Sequence, residues 1–293
     1  MLRHLLLIAL VCFPVTLHAQ TDAQKKHSVA FVRSLQQPDG SFLSSKGEIA
    51  GTLRATSSAI RAIKYNGGEL PNADKVAKFV MSCYDSTTGG YTDIRGGKVT
   101  IYETAVGIMA AVELKLKADP FVNKPVEYLT ANANAEDFEQ IRIAAAGLEA
   151  AGKLPKEVIE RWVTFVNKLK NKDGGYGHHA DQARQTGGAI ALLLRLGTKI
   201  DAARAKDIIA ILDKGQRADG GFGRPAIKDS DLETTYRVMR AYHMLKAKPP
   251  NVDQLRKRIA ACRNDDGGYG WAPGEPSSIA GTYFAAIISH WLK

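Results

Sequence analysis

The stretch Cys262–Trp271 reads CRNDDGGYGW, and variants of it recur along the chain: QQPDGSF from Gln36, DSTTGGY from Asp85, KNKDGGYG from Lys170 and QRADGGFG from Gln216. An acid followed by glycine makes a tight turn whose glycine takes a positive φ, and the aromatic ring after it is large and apolar. The rings Phe42, Tyr91, Tyr176, Phe222 and Tyr269 stand 49, 85, 46 and 47 residues apart. Since 85 is close to twice the usual step, a worn copy is expected near residue 133, where YLTANANAEDFEQIRIAAAGLEAAG keeps helical patterning without the turn. That makes six repeats.

Ahead of each turn lies a segment apolar on one face, as with Val158, Ile159, Trp162, Phe165, Val166 and Leu169. After each turn comes a segment apolar on most sides, such as ETAVGIMAAVEL or IAGTYFAAIISHWL. The first kind suits an outer helix facing water, and the second must be surrounded by protein. Strand signals are almost absent, and an open stack of helix pairs would leave two apolar end faces bare. The sequence therefore predicts an all-α fold, an α/α toroid of six helical hairpins in two concentric rings around a central cavity, with the worn pair around residues 120–151. The repeat aromatics wedge between neighbouring helices. Every inner helix begins just after a turn, so the positive ends of the inner helices converge on one mouth, which would attract an anionic group. Apolar walls are expected below it.

Leu5 to Leu17 is an apolar run behind Arg3 and ahead of His18-Ala19, which reads as a signal peptide over residues 1–19, cut near Ala19, with a single exported domain over residues 20–293. The net charge is +10, but lysines and arginines are interspersed with acids, as in LPKEVIERWVTFVNKLKNK, so no nucleic-acid partner is expected. Cys12 falls in the leader. Cys83 and Cys262 end outer segments of non-adjacent repeats, so they are expected to pack as small apolar groups without a bridge. His178 and His179 are adjacent and would point apart, which makes a poor metal site.

The most specific stretch is GQRADGGFGRPAIKDSDLETTYRVMRAYHML, Gly215–Leu245. It resembles the prenyltransferase and squalene-cyclase repeat family and is similar to the β subunits of protein geranylgeranyl and farnesyl transferases. The resemblance implies a cavity that holds an isoprenoid or similar apolar small molecule. It implies that Arg224, Lys228 and Tyr236 bind substrate as the cation-and-tyrosine set holding a diphosphate. By likeness to the acidic stretch of the cyclases, it makes Asp229, Asp231 and Glu233 the catalytic candidates for protonating a substrate. The plainer reading of the acids is that Asp231 or Ser230 caps the helix and Glu233 complements its dipole. The transferases' zinc ligands correspond to Glu233, Thr235 and Ala280, and the histidine of their His-Gly-Gly stretch to Thr186, so neither a metal nor a cofactor is expected. Two other functions are compatible with the sequence: an exported scaffold that binds without catalysis, and a carbohydrate-active toroid with two facing carboxylates about 5–9 Å apart. The side chains lining the cavity distinguish them. On a helical partner subunit, which the transferases have, the sequence is silent.

Overall fold

The computed structural model describes residues 20–134, 136–178, 181–225 and 227–293. The expected leader and His179 lie outside the described residues. In chain order the helices are α1 (Asp22–Ser34), α2 (Leu53–Tyr65), α3 (Ala73–Ser82), α4 (Ile101–Glu113), the short α5 (Ala118–Phe121), α6 (Asn123–Asn132), α7 (Phe138–Ala150), α8 (Lys156–Lys168), α9 (Gln182–Arg195), α10 (Ala202–Lys214), α11 (Leu232–Met244), α12 (Val252–Ala261) and α13 (Ile279–Trp291). Apart from α5, they alternate between outer and inner positions, and α6 with α7 is the worn repeat. Among the described residues β-structure is confined to isolated bridges.

The inner helices α2, α4, α7, α9, α11 and α13 pack each on the next, and α13 packs on α2, which closes the ring. A backbone bond from Ile279 N to Ser44 O, 2.9 Å, ties the last repeat to the first. Ser28 Oγ donates to Gly267 O at 2.8 Å across the same seam. Closure buries both ends of the array, so no apolar end face is left open to water.

Each inner helix except α9 starts on a side chain that accepts a backbone N–H of the first turn: Thr52, Thr100, Asp137, Asp231 and Ser278. The turns before them hold their aromatics as wedges. Phe42, Tyr91, Tyr176, Phe222 and Tyr269 are all buried. A second device accompanies each wedge. The hydroxyls of Thr56, Thr104, Thr186, Thr235 and Thr282 accept the backbone N–H of those same five aromatics, at 2.9–3.1 Å. A buried N–H without a partner costs about 1–3 kcal/mol, so each threonine pins its turn to its inner helix. Ile141 occupies the fourth position after the cap in α7, where most of the other repeats have threonine, and the worn repeat has no aromatic turn for it to hold.

Cys83 and Cys262 are free and buried, as their positions in the repeat suggest. Burial pushes their thiols up, to about 12 and about 11. Among the described residues no helix is long and apolar enough to cross a membrane.

Candidate functional site in the central cavity

The ring encloses a cavity of about 1130 Å³. Each inner helix presents a face of the same spacing to it: Arg54, Ser58, Arg61 and Tyr65 from α2, and Glu233, Arg237 and Arg240 with Tyr236 from α11. The second or third residue of every inner helix lies at one end, the mouth, as the common direction of the helices requires. The expectation of apolar walls below this mouth is not met. Eight arginines line the cavity, because several inner helices are apolar toward their neighbours and polar along one narrow inward stripe.

Five of the arginines belong to the mouth, and carboxylates hold all five. Arg54 meets Asp93 at 3.0 Å and Glu103 at 3.4 Å. Arg142 meets Glu139 at 2.9 Å. Arg237 bridges Glu139, at 2.8 Å, and Glu233. Glu233 is also 3.5 Å from both Arg184 and Arg224. Burial opposes the charge on Arg237, but Glu233 and Glu139 outweigh it and raise its pKa. Burial likewise opposes ionisation of Glu139, and Arg142 and Arg237 reverse the effect and lower its pKa.

Deeper in the cavity the chemistry changes. On the wall formed by α11, α13 and α2, the Tyr236 and Tyr283 hydroxyls lie 3.4 Å apart. Arg240 donates to Tyr236 Oη, and the Arg61 guanidinium lies 4.7 Å over the Tyr283 ring. Phe284 packs 4.8 Å from the Tyr236 ring, and Trp291 stacks on Tyr236 from behind at 5.6 Å. Burial works against the Tyr236 phenolate, but Arg240, Arg61 and the bond from Tyr283 overcome this and lower its pKa. Burial and the neighbouring Tyr236 raise that of Tyr283. On the opposite wall Val106, Met109, Ile143 and Ala146 face the space.

The six site residues read from the sequence separate into two groups. Arg224, Glu233 and Tyr236 line the cavity, and Arg224 also lies 3.9 Å from Asp231. Asp231 caps α11, accepting from Thr234 N and Thr234 Oγ1. Lys228 and Asp229 are exposed in the preceding loop and are not among the lining residues. The residues at the zinc-ligand positions do not fit a zinc ion. The Thr235 hydroxyl is committed to the Phe222 backbone, Ala280 has no donor, and guanidinium groups surround Glu233.

The sequence reading missed Arg54, Arg61, Arg142, Arg184, Arg195, Arg237 and Arg240. Their signal was available, since an arginine inside a helix that must be surrounded by protein has to face an internal space.

The prenyltransferase alpha-alpha toroid domain matches residues 4–97, 57–118 and 117–292, nearly the whole chain. The chain belongs to this family. Among its relatives is the geranylgeranyl transferase type-2 subunit beta of Saccharomyces cerevisiae, 25% identical over 217 residues, which cover 67% of this chain and 66% of that one. The chain thus spans just under two thirds of that relative's length. Three solved structures share the fold. The protein geranylgeranyltransferase-I of Candida albicans, complexed with GGPP, has a TM-score of 0.67 at 14% identity and covers 90% of each chain. A variant of the type II terpene cyclase MstE from Scytonema, with geranylgeranyl dihydroxybenzoate, has 0.64 at 10% identity and covers 92% of this chain and 96% of that one. A glycosidase variant in complex with glucose has 0.64 at 15% identity, with 94% and 96% covered. At such identities the toroid is shared, and the ligand is decided by the residues in the cavity.

Proposed function

We propose that this toroid binds an isoprenoid or a similar amphiphile in its central cavity. The observation that carries the reading is the cavity wall in which the half-buried Tyr236 and Phe284 rings, set among the buried Tyr283 and Ile287, face the half-buried Met109 and the buried Val106 and Ile143. Such a wall gains from covering by a hydrocarbon chain, about 25 cal/mol per Å² of apolar surface removed from water. The names of the yeast relative and of two of the structural neighbours, which concern geranylgeranyl groups, support it. Arg224, Glu233 and Tyr236 are the site residues that would touch the ligand. Of the three carboxylates suggested as proton donors, Glu233 is the one that lines the cavity. Its guanidinium neighbours suit it to orienting a polar group. Export through the leader read over residues 1–19 is part of the proposal and favours a ligand free of diphosphate, because isoprenyl diphosphates are made inside cells.

Tryptophan fluorescence tests the reading, since Trp271 lines the cavity and Trp291 backs Tyr236. Farnesol is expected to change the emission saturably, and Phe284→Ala to weaken its binding by about tenfold or more, the value of a buried aromatic contact. Unchanged affinity in the variant would place the chain elsewhere.

One observation favours a second reading, a carbohydrate ligand: Glu139 and Glu233 face each other across Arg237 at the mouth. A saturable response to glucose oligosaccharides, with none to farnesol, would select it.

A further inference from the structure

Charge at the mouth and charge deeper down are balanced differently. Each mouth arginine has a carboxylate within 4 Å. Arg61 and Arg240 have none among the described residues. Arg61 bonds to its own helix, to Ser57 O at 3.1 Å and Ser57 Oγ at 3.4 Å, and approaches Met109 Sδ at 3.6 Å. Arg240 bonds to Tyr236 Oη and stacks against the Tyr236 and Trp291 rings, at 4.8 and 5.2 Å. The two carboxylates that line this depth are engaged elsewhere, Glu149 by Arg195 and Glu113 by Lys64, each at 2.7 Å. Two guanidinium groups thus flank α13, with two tyrosine hydroxyls between them and, among the described residues, no carboxylate in ion-pair contact with either.

A charge taken partly out of water without a partner is costly, and aromatic faces offset only part of that. Guanidinium forks and phenol hydroxyls are the donors that carboxylate and phosphate oxygens take up. We infer that the wall formed by α11, α13 and α2 is an oxyanion site, in which Arg61, Arg240, Tyr236 and Tyr283 hold a carboxylate or phosphate group deep in the cavity. An amphiphile would then enter with its anionic end leading and leave its neutral part at the charge-balanced mouth. As an orientation of an isoprenoid this rests on the proposed function, whereas as an anion site it stands without it.

The test compares farnesol, farnesoic acid, farnesyl diphosphate and inorganic pyrophosphate by calorimetry on the wild type, Arg61→Gln, Arg240→Gln and Lys228→Ala. The acid or the diphosphate is expected to bind at least about tenfold tighter than farnesol, as charge-assisted hydrogen bonds allow. Each arginine variant is expected to remove that preference, and Lys228→Ala to keep it. Arg61 makes its hydrogen bonds within its own helix and to Met109, so Arg61→Gln decides the matter if Arg240→Gln fails to fold. Pyrophosphate binding that depends on Arg61 while no farnesyl compound binds would support the anion site and remove the isoprenoid reading. Farnesol binding with no preference for the anionic compounds, or a preference that survives Arg61→Gln or disappears in Lys228→Ala, would overturn the inference. Preference for the acid over the diphosphate identifies a carboxylate ligand, and the reverse a phosphate ligand.

Discussion

Gly220→Ala is expected to destabilise the protein by about 3 kcal/mol. Gly220 has φ +87°, a conformation that costs an L-residue about 1–2 kcal/mol. A Cβ there would also lie 2.3 Å from Leu255 N and 2.4 Å from Gln254 C, the backbone of α12. Backbone cannot swing aside as a side chain can, so α12 must move, and overpacking of this kind costs about 1–3 kcal/mol more. Gly47 separates the two contributions, because its φ is +92° and a Cβ there would meet nothing within 4 Å. Gly47→Ala should lose only the conformational part. Urea denaturation of both variants gives the difference, and equal losses would show that the turn is not pressed against the next outer helix.

Glu233→Gln is expected to rank next, at about 2–4 kcal/mol. The carboxylate is shared by Arg237, Arg184 and Arg224, and removing one partner of a buried ion pair costs about 3–5 kcal/mol. The figure is reduced because the Arg224 side chain is 47% exposed and can turn to water. Its neighbours in sequence set the scale. Asp231→Ala should lose about 1 kcal/mol with the helix cap, and Asp229→Asn less than about 0.5, as a surface change. Thermal or urea melts that found Asp229 as costly as Glu233 would contradict the placement of the acids.

The ring was legible because it is written six times. A turn needing a left-handed glycine and a wedge needing an aromatic leave few other residues at those positions, so Gly220-Gly221-Phe222 and Gly267-Gly268-Tyr269 announce themselves. The worn repeat was found from the same spacing, and α6 and α7 fall inside the predicted window. The site was less legible, for two physical reasons. Adjacency along the chain does not give direction, so Asp229, Asp231 and Glu233 look alike in sequence while one is exposed, one caps a helix and one lines the cavity. The deep wall is assembled from Arg240 and Tyr283, on the consecutive inner helices α11 and α13, and from Arg61 of the first repeat, which reaches them only because α13 closes on α2.

The cavity itself can be filled to test whether it is where the ligand sits. Ala146 lies on its aliphatic wall, opposite the aromatic one. Isothermal titration of the wild type with farnesol or farnesoic acid is expected to give one site per chain. Ala146→Trp, checked by its circular dichroism to keep the helical ring, is expected to bind neither. Undiminished binding in the filled variant, or a wild type that takes up oligosaccharide and no farnesyl compound, would contradict a ring built around an isoprenoid-type ligand.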